Sequence, residues 1–328
     1  MSTEPVIQLR GVTRRYGGFT AVNNIDLDVK PGEIFGILGP NGAGKTTTLE
    51  MIEGLREPDS GSIMVAGYDA VAQVDEVRKI IGVQLQSTSL FPFLSARELV
   101  ELFGHLYGIA NPVERAKELL ASVDLADKAN NRMEQLSGGQ QQRLSIALAL
   151  VNSPVVTFLD EPTTGLDPLA RRNLWQTILD VRASGSTVVL TTHYMDEAEH
   201  LCDRIAIMDG GKIIACDTPE ALIRSLPQDA VVKATTADEV TWNDGQLGNL
   251  PGATHAELSR DAVQDTEVSI GTADVQATIT ALLELAKADG VNLANLTSTS
   301  ANLEDVFLTL TGRSLDSGES EPAEGDAA

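Results

Sequence analysis

Cysteines and long apolar runs are both scarce in this chain of 328 residues. Its two cysteines, Cys202 and Cys216, form no CxxC pattern and give no disulfide framework, so we expect reduced thiols in a cytoplasmic protein. The apolar run Ile146–Val151 is far shorter than the about 20 residues that a membrane-spanning helix needs. The first residues, MSTEPVIQLRG, lack the basic region and apolar core of a secretory signal. The sequence therefore predicts neither a membrane-spanning segment nor secretion.

Basic residues are scarce as well, with 24 Lys and Arg against 47 Asp and Glu and a formal net charge of −23 at pH 7. From Ser225 onward there are 4 basic and 18 acidic residues, whereas residues 1–224 carry 20 and 29. An acidic surface repels nucleic acid, so we predict no nucleic-acid partner. A solubilising surface with an acidic tail is the simpler interpretation.

Glycines, by contrast, are concentrated where they can bind phosphate. Residues 39–47 read GPNGAGKTT, after the strand predicted over Glu33–Leu38 and before a helix that contains Leu49, Met51 and Ile52. This G-x-x-x-x-G-K-[ST] pattern between strand and helix is typical of a P-loop, in which Lys45 reaches the β- and γ-phosphates and Thr46 ligates Mg²⁺. The candidate nucleotide-binding residues are Gly39, Pro40, Asn41, Gly42, Ala43, Gly44, Lys45, Thr46 and Thr47.

An acidic pair follows a second apolar stretch, VVTFLDE at residues 155–161. A buried parallel strand delivers its side chains at the carboxyl edge of the sheet, where a P-loop also lies. We predict that Asp160 holds Mg²⁺ and that Glu161 is the general base for an attacking water. Without a P-loop in the same chain, an ordinary strand followed by a polar turn would be the better interpretation.

A histidine follows a third apolar stretch. His193 comes directly after the strand predicted over residues 187–191, where an imidazole can reach the γ-phosphate. A single histidine after a strand is more often structural than catalytic, but a strand parallel to that of the P-loop favours a catalytic role here. His105, His200 and His255 lie in apolar or helical settings, and we interpret them as structural.

With LSGGQ at residues 136–140, this sequence resembles the nucleotide-binding subunit of an ABC transporter over roughly residues 4–224. The chain contains all the motifs of the family in the family's order, namely the P-loop, the glutamine loop, LSGGQ, the acidic pair, TTGLD and the histidine. The resemblance implies an α/β P-loop NTPase with an inserted helical subdomain, working with ATP and Mg²⁺. It also implies roles for Gln86 at the metal (Gln84 being the weaker candidate), for Tyr16 as the adenine stack and for Asp167 at the dimer interface.

The resemblance further implies that LSGGQ serves a second subunit. Ser137, Gly138, Gly139 and Gln140 would contact ATP bound by the P-loop of a facing copy, or of a homologous ATPase. Two chains would thus enclose two ATP molecules, and loss of the γ-phosphate would reopen the pair.

The remaining sequence predicts the domain organisation. Ser95 and Glu98 form a capping-box pattern before a helix, and a second helix is expected over residues 113–123. Beyond residue 224, a helix over residues 273–288, a strand over residues 291–299 and a helix capped by Asn302 indicate a small α+β domain. We predict an ATPase domain over residues 1–224 with a helical subdomain at about 92–145, an accessory domain over 225–313 and a disordered acidic tail over 314–328.

The ending NLEDVFLTLTGR, with TTHYMDEAE and EGLREPDSG, resembles the daunorubicin-resistance branch of exporter ATPases. That branch implies a separate transmembrane permease subunit and a peripheral position on the cytoplasmic side of the membrane. Two alternatives stay open: an importer ATPase, and a membrane-independent ABC ATPase of the kind that acts in iron–sulfur cluster assembly. The accessory domain and the LEDVF ending favour the exporter.

Overall fold

A computed structural model describes residues 4–84, 91, 93–226, 230–238, 240–260 and 266–312. They divide into two compact units, one up to Pro219 and one from Glu220 onward. The sequence placed this boundary after Arg224. The helix that ends at Arg224 groups with the second unit. Gln86 and the tail over residues 314–328 lie outside the described residues.

The first unit contains ten strands and seven α-helices among its described residues. Its strands are β1 (Ile7–Tyr16), β2 (Phe19–Val29), β3 (Ile34–Leu38), β4 (Ser60–Val65), β5 (Tyr68–Asp69), β6 (Ile81–Val83), β7 (Val156–Asp160), β8 (Thr187–Thr192), β9 (Arg204–Asp209) and β10 (Lys212–Asp217). Its helices are α1 (Lys45–Ile52), α2 (Val74–Ile80), α3 (Ala96–Leu106), α4 (Pro112–Ser122), α5 (Gly138–Ala149), α6 (Pro168–Ala183) and α7 (Met195–Leu201).

A six-stranded sheet in the order β10-β9-β3-β8-β7-β6 forms the centre of the first unit. Its strands are parallel except for β10, so their carboxyl ends meet at one edge. All residues of β3 and β8 are buried, which explains the apolar sequence IFGIL of β3 and the apolar centre VVL of β8. A second, antiparallel sheet in the order β2-β1-β4-β5 shares a hydrophobic core with this sheet.

Helices α3, α4 and α5 pack around their own core, which includes Leu99, Leu120 and Leu144. The predicted capping box is confirmed, since the Ser95 side chain accepts from the Glu98 N–H and the Glu98 carboxylate accepts from the Ser95 N–H. The second predicted helix is α4. No helix among the described residues is both long and apolar enough to cross a bilayer.

The second unit contains α8 (Pro219–Arg224), β11 (Ala230–Thr236), α9 (Asp244–Gly248), β12 (Ala253–Arg260), β13 (Thr266–Thr272), α10 (Val275–Asp289), β14 (Ala294–Ser300) and α11 (Leu303–Thr311). From β11 to β14 the order is βαββαβ, and the antiparallel sheet runs β12-β13-β11-β14, as in ferredoxin-like domains. Gly290 ends α10, and Asn302 caps α11, as predicted. Both cysteines are free thiols.

Candidate functional site

The loop between β3 and α1 carries the P-loop sequence, and two of its glycines are required by close backbone contacts. A Cβ on Gly39 would lie 2.1 Å from the carbonyl oxygen of Met208 in β9. A Cβ on Gly44 would lie 2.3 Å from the carbonyl oxygen of Ala21 in β2, and Gly44 has a φ of 101°. The loop is therefore held between two strands at the N-terminus of α1, where free N–H groups favour an anion.

Lys45, the first residue of α1, is 5% exposed. Its Nζ donates to the carbonyl oxygens of Gly39 at 2.9 Å and Pro40 at 3.2 Å, so the cation lies inside the loop. Burial lowers the pKa of Lys45, and the charges of Glu161 and Asp160 offset part of this effect.

The Thr191 hydroxyl connects the two acids that follow β7. It donates to Asp160 Oδ1 at 2.5 Å and accepts from the backbone N–H of Glu161 at 3.0 Å. The Thr46 hydroxyl donates to the same Asp160 oxygen at 3.3 Å. Sequence analysis missed Thr191. The available signal was its position two residues before the histidine on a parallel strand, where β7–β8 pairing sets it opposite Asp160.

Glu161 lies between two basic groups. Its Oε1 is 3.3 Å from Lys45 Nζ, and its Oε2 is 3.4 Å from His193 Nδ1 and accepts from the Thr164 hydroxyl at 3.2 Å. Burial would raise the pKa of Glu161, but Lys45 and then His193 outweigh it, so the pKa lies below its usual value. The carboxylate is held ionised, on a backbone with a left-handed φ of 45°.

A cavity of about 380 Å³ opens beside these groups. It is lined by Thr46, Gln84, Gln142, Asp160, Glu161 and Thr164. Hydroxyl, carboxylate and amide oxygens are the ligands that Mg²⁺ prefers, so the lining fits the predicted metal. Gln84, the weaker candidate, lies here. Sequence analysis did not single out Gln142, because only the packing of α5 against β6 brings it to the cavity.

The LSGGQ motif leads into α5, with Leu136 buried, Ser137 and Gly138 exposed, and the last two residues of the motif half-buried. The Ser137 hydroxyl accepts from the Gln140 N–H at 3.3 Å, and the Gln140 side chain accepts from the Ser137 N–H at 2.9 Å. Gln140 is therefore used within its own helix cap. A Cβ on Gly139 would lie 3.0 Å from the Ala170 Cβ, so the first turn of α5 lies against α6.

Two other predicted residues make contacts of a different kind. Tyr16, at the end of β1, is flanked by the guanidinium groups of Arg14 and Arg56, whose central carbons are 5.0 and 5.6 Å from the centre of its ring. Asp167 caps α6 and accepts from the backbone N–H groups of Leu169 and Ala170 at 3.0 and 2.9 Å.

Comparison with known proteins now adds to this geometry. Residues 22–164 match the ABC transporter family. Over 94% of its length, the chain is 37% identical to the linearmycin resistance ATP-binding protein LnrL of Bacillus subtilis, of which it covers 99%. The chain belongs to the ABC transporter ATP-binding proteins.

Other relatives of this ABC ATPase carry names from export and drug resistance. It is 40% identical to the Nod factor export ATP-binding protein I of Burkholderia lata and 38% identical to the daunorubicin resistance ATP-binding protein DrrA3 of Streptomyces coeruleorubidus. In both cases the match spans 94% of this chain, and it covers 98% and 96% of the relatives. The resemblance to the daunorubicin-resistance branch is confirmed, and the exporter is favoured over the membrane-independent ATPase.

Solved structures place this ABC ATPase in the predicted fold class. A dimeric ATP-binding cassette in a post-hydrolysis state, bound to ADP and Pi, matches 65% of this chain and 98% of its own, with 32% identity and a TM-score of 0.59. A cassette in its ADP conformation matches 69% and 96%, with a TM-score of 0.63 and 24% identity, which bears on the fold alone. The chain is an ATPase subunit of the exporter type.

Proposed function

We propose that two copies of this chain enclose two ATP molecules and that hydrolysis reopens the pair, which drives export through a separate transmembrane permease. The observation that carries this proposal is the cluster around Glu161, whose two carboxylate oxygens face Lys45 at 3.3 Å and His193 at 3.4 Å. A cation for the phosphates, an ionised carboxylate and an imidazole are thus brought to one point from three separate segments of the chain.

Each group of the cluster has a role in phosphoryl transfer. The P-loop N–H groups and Lys45 bind the phosphates, and Thr46 and Asp160 would hold Mg²⁺, with Gln86 as a further predicted contact. Bound Mg²⁺ would neutralise charge on the phosphate oxygens. Glu161 orients the attacking water and accepts its proton, while His193 donates to the γ-phosphate.

The second subunit completes the site in this proposal. Ser137 and Gly138 are exposed at the start of α5, with Gly139 half-buried beside them, where they can donate to the γ-phosphate of the facing copy. Leu169, which follows Asp167, is 71% exposed, an apolar side chain suited to a subunit interface. The dimeric relative bound to ADP and Pi supports this arrangement. A homologous ATPase in place of the second copy would give the same geometry.

Association with the membrane is proposed from two observations. The full-length relatives are named for linearmycin resistance, daunorubicin resistance and Nod factor export. The helical layer of α3 and α4 and the segment before it expose the large apolar side chains Phe93, Leu106 and Val113, which suit a protein partner. We infer a position on the cytoplasmic face of the membrane, with cargo selection residing in the permease.

The proposal is tested first with Glu161→Gln. We expect hydrolysis to fall on the order of 10²–10⁴-fold while ATP binding persists, since only the proton acceptor is lost. Phosphate release and analytical ultracentrifugation in Mg-ATP measure both effects, with Glu118→Gln on the exposed face of α4 as the control. Unchanged hydrolysis would remove Glu161 as the base. Tagged Glu161→Gln protein from gently solubilised cells should carry a polytopic membrane protein in near-equal amount, and recovery with soluble partners alone would contradict export.

Ser137→Arg tests the role of the signature motif. A long cation at the exposed start of α5 should prevent closure of the dimer and leave nucleotide binding by the monomer unchanged. Titration with a fluorescent ATP analogue and ultracentrifugation of the Glu161→Gln background separate these two effects. Ser184→Arg, at the exposed end of α6, is the matched control. Loss of ATP affinity in the monomer would show that Ser137 serves the site of its own chain.

A further inference from the structure

Two glutamines connect the cavity beside Glu161 to helix α5. Gln84 Nε2 donates to Gln142 Oε1 at 2.9 Å, and both side chains line the cavity with Thr46 and Asp160. Gln84 is 4% exposed, and its Oε1 is buried with no hydrogen-bond partner among the residues that the structure describes. A buried amide oxygen without a partner is costly unless a ligand or water satisfies it. Because Gln84 lines the cavity, whatever the cavity holds is the available partner for this oxygen.

Gln142 stands on the same helix as the signature motif. Ser137 caps α5, and Gln142 follows five residues later, about 7.5 Å along the axis at the usual helical rise. Within the first half of this helix, Ser137 is exposed to solvent and Gln142 reaches the cavity of the chain's own P-loop. A hydrogen-bonded helix moves as a unit, so a displacement of Gln142 displaces Ser137 as well.

We propose that the Gln84–Gln142 pair couples the two nucleotide sites, with Gln84 contacting the contents of its own cavity and Gln142 passing that contact to the signature helix that serves the facing subunit. This inference rests on the proposed ATP-bound dimer. Gln84 binds through its free amide oxygen to a water or cation beside Thr46 and Asp160. Gln142 is a positioning residue, because it acts through Gln84 and through α5.

Coupling through the pair should produce effects on ATP affinity and dimerisation that a merely structural contact would not produce. Gln84→Leu removes the amide oxygen from the cavity, so the gain in ATP affinity on adding Mg²⁺ should fall about tenfold in the monomer. Gln142→Leu leaves that oxygen in place, so the ATP affinity of the monomer should change less than about twofold. Either substitution should weaken ATP-driven dimerisation about tenfold, since both break the same connection.

The experiment uses the full chain in the Glu161→Gln background, with Gln84→Leu, Gln142→Leu, their combination and Gln176→Leu. Gln176 bonds only to Asp180 on the exposed face of α6 among the side-chain contacts described, so its variant is a matched control. ATP-analogue binding is measured with Mg²⁺ and with EDTA, and dimerisation by analytical ultracentrifugation. The double variant should dimerise no worse than either single variant, because the pair acts as one element.

Three results would overturn the coupling: dimerisation constants that fall multiplicatively in the double variant, unchanged dimerisation in Gln142→Leu, or equal losses in Gln176→Leu. If the leucine variants fail to fold by circular dichroism, Gln84→Met and Gln142→Met replace them and face the same criteria. Failure of the underlying proposal looks different, because the Glu161→Gln parent itself would then form no ATP-dependent dimer.

Discussion

The two units of this protein treat charge in different ways. The first unit buries Lys45, Glu53 and Glu197, each 5% exposed or less. In the second unit, every acidic side chain that the structure describes is exposed or half-buried, and the buried polar residues are threonines: Thr236, Thr266, Thr272 and Thr278. Burying an ionisable group costs free energy, and such groups cluster at functional sites. The buried ionisable groups of the first unit therefore indicate that the functional site lies in that unit. The second unit is built as a domain core without such a site.

Two acids of the first unit, the half-buried Glu161 and the buried Glu197, also differ from one another. Glu161 is next to Lys45 and His193, and its pKa is lowered. Glu197 accepts from Trp175 Nε1 at 3.1 Å, but burial dominates and raises its pKa. Glu197 also has the cation of Arg171 nearby, but burial outweighs it, whereas Lys45 and His193 outweigh burial at Glu161. The balance between burial and neighbouring basic groups therefore distinguishes the catalytic candidate from the acid that joins α7 to α6.

Lys45→Ala should give the largest effect, because it removes the buried cation of the first unit. Removing the cation that faces the phosphates is expected to weaken ATP binding about a thousandfold. A fluorescent ATP analogue measures the affinity of the isolated chain. Lys79→Ala, which removes an exposed lysine of the same unit, should leave it unchanged. A loss smaller than about threefold would remove Lys45 as the phosphate ligand.

Leu282→Ala tests whether the core of the second unit is independent of the nucleotide site. Leu282 is fully buried in α10, so its truncation should destabilise the second unit by about 3 kcal/mol without changing ATP affinity. Differential scanning calorimetry measures the first quantity and analogue titration the second. Leu283→Ala, one residue along and exposed, should cost less than about 0.5 kcal/mol. A parallel loss of ATP affinity would show that the second unit supports the nucleotide site.

The pH dependence of the Tm of Glu53→Gln tests the effect of the buried Glu53 carboxyl group on stability. Burial, then Asp160 and Glu50, raise the pKa of Glu53 to about 8 in the folded chain. Because this pKa lies above that of the unfolded chain, stability is fully present below about pH 4.5 and is lost as the pH rises through about 8, by up to about 1.4 kcal/mol per unit. In EDTA and without nucleotide, the Tm of Glu53→Gln should equal that of the parent near pH 4.5 and exceed it at pH 8.

The matched control for this pH test is Glu76→Gln, an exposed carboxylate paired with Lys79. Its Tm should follow the parent across the whole pH range. Parallel curves for the parent and Glu53→Gln would show that Glu53 is not the group that titrates.

The local sequence predicted the motif residues of this site, whereas its other residues depend on strand register and helix packing. The P-loop, Asp160, Glu161 and His193 stand in contiguous motifs, so their strands and turns were predictable. Thr191 and Gln142 take part only through strand register and helix packing, which no short motif encodes. The burial of Glu53 at the end of α1 was equally hidden. In the second unit, α10 and the cap of α11 followed from periodicity and Asn302, whereas the strand order did not.

The contacts of Gly39 and Gly44 have a consequence for the entropy of binding. With carbonyl groups of β9 and β2 against its two ends, the P-loop is a preformed cradle that needs little ordering when a nucleotide arrives. The adjustment falls instead on one side chain, since Lys45 must exchange the carbonyl oxygens of Gly39 and Pro40 for phosphate oxygens. We therefore expect nucleotide binding to rearrange the partners of this ammonium group without folding a loop.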